Sequence, residues 1–115
     1  MNDNEIMEAD KDLTIIYRIL LNFEKQLDSE TFDMGYISSE RFKIKDLRRN
    51  RYLQMLIEAG YITGIKVNEL NGESYTEIQN PRITLKGIEY LAENSGMRRA
   101  MKILKEASQM TVSII

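Results

Sequence analysis

The chain has 115 residues, no cysteine, no histidine and a formal net charge of -2. This excludes disulfides, thiolate chemistry, a Ser-His-Asp triad and any metal site built on histidine or cysteine. It is long enough for one domain with its own core, and its overall charge does not announce a nucleic-acid binder.

Residues 1–10 carry four acids and no base, and read as an acidic, disordered leader. The leader lacks the basic start and apolar run of a signal peptide. No stretch approaches the ~20 apolar residues that span a bilayer, so the expectation is a cytoplasmic chain without membrane contact. Asp12 is the candidate N-cap of a first helix, because a carboxylate there accepts from the orphan amides of the first turn. Leu13, Ile16, Tyr17, Leu20 and Leu27 follow at helical spacing. Ile15, Ile19 and Leu21 widen the apolar stripe, which predicts a helix central in a core or paired with another chain.

Asp28 to Thr31 breaks the pattern, and Phe32 to Ile37 reads either as an irregular loop or as a short strand. Ser38 or Ser39 caps a brief helix to about Lys43, and Lys43-Ile44 is the turn. A third helix runs from about Lys45 to Ala59, with Gly60 as its stop, since glycine adopts the left-handed cap without steric cost. Its i, i+3, i+4 and i+7 relations put Arg49, Tyr52, Leu53, Leu56 and Ile57 inward. Arg48 and Arg51 then face outward, and Arg49 is expected to lay its stem on the core with its head in water.

Tyr61 to Val67 is rich in β-branched and aromatic residues, and Asn71-Gly72 is a strong hairpin signal because both residues tolerate positive φ. The return strand is predicted over Glu73–Ile78, with Pro81 ending the pairing or sitting at its edge. Thr84 is the expected cap of a further helix with Leu85, Ile88, Leu91 and Ala92 on its apolar side. Gly87 within it predicts close approach of another backbone. Met97, Ala100, Met101, Leu104 and Ala107 predict a final amphipathic helix, and residues 111–115 form an apolar tail. Tyr36, Tyr61, Tyr75 and Tyr90 are read as core or core-rim residues.

This order of elements predicts an α+β domain over residues 11–110: a winged helix-turn-helix with a hairpin wing and an extra C-terminal helix. The blocks that carry it are the first apolar helix, Ile37 to Phe42, Met55 to Ile65, Ile83 to Leu91 and Met97 to Glu106. In order and spacing they resemble the YjcQ-like family of small winged-helix proteins of bacteria and their phages. The resemblance covers roughly residues 10–107. It implies the fold and no settled activity.

From Arg41 to Tyr52 there are six bases against one acid, Asp46. In a helix-turn-helix the second helix enters the major groove, where arginine binds guanine in bidentate fashion. The leading expectation is double-stranded DNA binding in phage or prophage regulation, by helix insertion over residues 45–52. Arg48, Asn50 and Arg51 fall on that segment, with phosphate contacts from Arg41, Lys43 and Lys45. Against it stands the hairpin, where Glu69, Glu73 and Glu77 outnumber Lys66 and repel phosphates. The alternative expectation is a non-catalytic protein-docking module on the same fold. No enzyme activity and no cofactor or metal is expected. Surplus apolar surface on the first and last helices predicts a homodimer.

Overall fold

Helix α1 (Asp3–Lys25) is the axis of the core in the computed structural model, which describes residues 3–96. Ile15, Tyr17, Ile19, Leu20 and Phe23 are all buried on it, over more than one face. Full burial of each such side chain is worth about 1.5–3 kcal/mol, so this one helix supplies much of the driving force for assembly. The helix begins nine residues before Asp12, and residues 3–10, expected as a leader, form its first turns. The segment holds no glycine or proline to break a helix, and Glu8 and Ala9 are good helix formers. Asp12 is therefore not an N-cap. Ile15 and Ile19, two of the residues behind the expected dimer, are spent on the chain's own core.

A 3-10 turn at Gln26–Asp28 ends α1, and a second one at Met34–Ile37 replaces the loop or short strand. The Gln26 amide spans the gap, donating to the Asp33 carbonyl at 3.1 Å and accepting from the Asp33 N–H at 2.6 Å. Ser38 caps α2 (Ser39–Phe42) by accepting from the Arg41 N–H at 3.2 Å. Lys43 closes α2 in the left-handed region at φ 55°, and Ile44 and Lys45 lead into α3 (Asp46–Glu58). Gly60, at φ +80°, follows the end of α3 as its composition predicts.

Strands β1 (Ile62–Leu70) and β2 (Glu73–Ile83) pair antiparallel about the Asn71-Gly72 turn, where φ is 53° and 82°. Strand β2 continues past the expected end at Ile78. The register slips between Thr63 and Ile65, and Asn80 there has φ 60°. A Cβ at Gly64 would overlap the Asn80 carbonyl, so only glycine lets the strands pass there. Pro81 is buried beside this bulge, a place where its missing N–H costs no ladder bond.

Thr84 caps α4 (Leu85–Glu93), accepting from the Gly87 N–H at 3.1 Å and donating to the Gly60 carbonyl at 2.6 Å. The Thr84 N–H donates to the Tyr61 carbonyl at 3.0 Å, and the Tyr61 N–H to the Leu56 carbonyl at 2.9 Å. Gly87 is packed so closely that a Cβ would overlap the Tyr61 carbonyl, the close approach its sequence position predicts. Tyr61 and Tyr90 stack with ring centroids 4.9 Å apart, whereas Tyr36 and Tyr75 are exposed and belong to no core.

The described residues thus make an α+β domain of four helices and one two-stranded antiparallel hairpin, compatible with a winged helix. Helix α1 packs against α4 and β2, and α3 against the hairpin. The expected C-terminal helix and the tail lie outside the described residues. No described helix is long and apolar enough to cross a membrane.

Candidate macromolecule-binding face

The basic run falls on α2, the turn and α3, and the fold divides it into three groups. Arg41, Lys43 and Lys45 are exposed around the turn, with no carboxylate in ion-pair range among the described residues. The Arg41 guanidinium lies 5.3 Å from the centre of the Tyr36 ring, a cation–π contact that leaves its edge open to solvent.

Arg48 and Arg51 face outward as their spacing predicts, with side chains 50% and 58% exposed. They do not form a free basic face. Arg48 donates to Asp12 of α1 at 2.8 Å through Nη2 and to the Tyr52 hydroxyl at 2.8 Å through Nε. The Tyr52 hydroxyl in turn donates to the same Asp12 carboxylate. Arg51 pairs with Glu69 of β1 at 3.2 Å. Both guanidinium groups hold acids of their own chain, so the outward side of α3 is not the uncompensated basic face that the run's six bases against one acid suggest. The Asp12 carboxyl sits below its usual pKa because the Tyr52 hydroxyl and then Arg48 stabilise its charge, more than burial opposes it. Burial and the bond to Asp12 push the Tyr52 phenol up, and Arg48 is raised by Asp12 and then Tyr52.

Asn50 and Arg49 form the third group, and neither reaches outward. Asn50 is 2% exposed and donates to the Ser74 hydroxyl of β2 at 2.8 Å. It accepts from Arg49 Nε at 2.8 Å, while Arg49 Nη1 donates to the Ile37 carbonyl at 3.0 Å. The Asn50 amide is thus consumed inside the fold and does not reach the outer surface of α3. The Arg49 head is half-buried rather than in water, and burial lowers its pKa against the opposing charge of Asp46.

Between α1, the turn and α3 runs an open groove of about 680 Å³. Ile15, Ile44, Leu47 and Met55 give it an apolar floor, and Met55 is 54% exposed. Lys11, Lys43, Lys45, Arg48 and Arg51 stand around it, with Glu8 and Asp12 on the α1 side. Asp12, Tyr52, Leu47 and Met55 are site residues that the basic run alone does not reveal. The Arg48–Tyr52 contact has a local signal, the i, i+4 spacing. The contact to Asp12 spans 36 residues and has none.

Among the described residues no group of three or more carboxylates could hold a metal ion. The family model described as YjcQ protein matches residues 17–110. The chain belongs to the YjcQ family. Neither a curated protein nor a solved structure matches it. The matched span holds α2, α3, the hairpin and α4 of this YjcQ-family chain. Asp12 and Ile15, which wall the groove from α1, precede it.

Proposed function

We propose that the chain is a non-catalytic winged helix-turn-helix module that docks a protein partner on the face formed by α1, the turn and α3. The observation that carries this reading is the state of the outward side of α3. Its two arginines already hold Asp12 and Glu69, while Leu47 and Met55 open to the groove between them. Direct reading of guanine needs an arginine fork free for O6 and N7. Exposed ion pairs contribute only about 0–1 kcal/mol each, so the pairs do not bar DNA by their strength. What weighs against it is the sum: two reading arginines compensated, Asn50 buried, and Glu69, Glu73 and Glu77 along the hairpin. Self-association through α1 loses its motive, because Ile15 and Ile19 are core residues.

A second reading keeps the leading expectation, DNA binding as a phage or prophage regulator in the cytoplasm. It is favoured by Arg41, Lys43 and Lys45, exposed at the turn where phosphates would pass. A gel shift with pooled duplex DNA across a salt series separates the two. The docking reading expects no shift even at low salt. A shift that falls steeply with salt and is abolished by Lys43→Ala with Lys45→Ala would replace it with the DNA reading.

A further inference from the structure

We infer that the α1–α3 groove receives an acidic amphipathic helix from the protein partner, an inference that rests on the docking reading. Leu47 and Met55 lie eight positions apart on α3, so the floor runs about 12 Å along that helix at 1.5 Å per residue. An incoming helix that anchors through positions i, i+4 and i+7 presents an apolar stripe of about 10 Å, which matches this length.

Charge selects the sign of the partner. Of the five cations around the floor, Arg48 and Arg51 hold Asp12 and Glu69, which leaves Lys11, Lys43 and Lys45 against Glu8. The internal contacts display the chemistry in place: Arg48 and Tyr52 together hold one carboxylate, that of Asp12, and Arg51 holds another. Lys43 and Lys45 have no acid of their own among the described residues and remain for the partner's. A basic helix would face repulsion along the rim. A DNA backbone would satisfy the cations and leave Leu47 and Met55 against polar surface.

The test uses the full chain and fluorescence anisotropy with three labelled probes. One is a peptide of about 20 residues, beyond the length at which isolated helices are marginal, with leucines at helical spacing and alanines and glutamates elsewhere. The second has lysines in place of the glutamates, and the third is a mixed-sequence DNA duplex. The acidic peptide is expected to bind, with affinity falling as salt rises. Met55→Glu and the pair Lys43→Glu with Lys45→Glu should each weaken it about tenfold or more, a change of about 1.4 kcal/mol. Lys66→Glu on the hairpin should leave it unchanged, with circular dichroism verifying the fold of each variant. If the basic peptide binds instead and Met55→Glu abolishes it, docking stands and the acidic partner is overturned. If only the duplex binds, both readings fall. Binding of no probe overturns the inference, as does a chain that dimerises through the groove and excludes the peptide.

Discussion

Two polar networks lie on opposite sides of α3 and start from adjacent arginines. On the inner side, Arg49, Asn50, Ser74 and the Ile37 carbonyl make a half-buried latch between α3, β2 and the turn before α2. On the outer side, Arg48, Tyr52 and Asp12 make a half-exposed link between α3 and α1. Only the arginine is common to the two: the inner network meets it with an amide and a backbone carbonyl, the outer with a carboxylate and a phenol. Buried groups cannot trade partners for water, so the inner network holds the fold together. In the outer network only the Arg48–Asp12 pair is open to solvent and can trade partners for water, while Tyr52 is buried.

The largest effect is expected at Asn50. Asn50→Ala leaves the Ser74 hydroxyl and an Arg49 N–H without their partner inside the fold. The expected cost is about 1–3 kcal/mol of stability in denaturant unfolding. A loss within experimental error would mean that water enters the latch and that the two sides of α3 are alike.

Acid titration probes the outer network. The Asp12 carboxyl is lowered in the folded chain, so its contribution is present above the ordinary carboxylate range and fades as pH falls through the folded value. The carboxyl is partly exposed, so the contribution is expected to stay below about 1 kcal/mol. Asp12→Asn should flatten the part of the stability profile below about pH 4 relative to the parent. A variant with an unchanged slope would show that Asp12 holds Arg48 only weakly in solution.

Arg51→Ala should have the smallest effect, a few tenths of a kcal/mol or less, because its pair with Glu69 is exposed on both sides. The same variant is expected to weaken the acidic peptide measurably. A large stability loss without any binding change would place Arg51 with the inner network instead.

Much of this fold was legible in the sequence because its signals are local. Asn71-Gly72 specified the hairpin turn, Gly60 the end of α3, and Ser38 and Thr84 their caps, each through the geometry of its immediate neighbours. The start of α1 is not legible because acidic composition reads as solvated chain, yet glutamate and alanine favour helix where no glycine or proline breaks it. Asn50 was misplaced although a signal existed: it shares a helical face with Leu53 and Ile57, three and seven positions on. The pairing of Arg48 with Asp12 and of Arg51 with Glu69 was not legible. Each joins elements whose relative placement is decided by packing rather than by spacing.

The knot at Tyr61 has a consequence for how the chain opens. Its backbone takes the end of α3 through Leu56, the start of α4 through Thr84, and the flank of α4 through the Gly87 contact. A hairpin joined to helices only by its side chains would breathe on its own. Here separating the hairpin from either helix breaks backbone hydrogen bonds at the same residue. Helix α3, the hairpin and α4 therefore form one cooperative unit, whose junction amides should exchange with solvent at a common, slow rate. The Thr84 N–H is the reporter: exchange much faster than that of the α3 core amides would mean the hairpin frays independently. Helix α3 is the part of that unit that lines the groove, so under the docking reading contact energy would not be spent on ordering it.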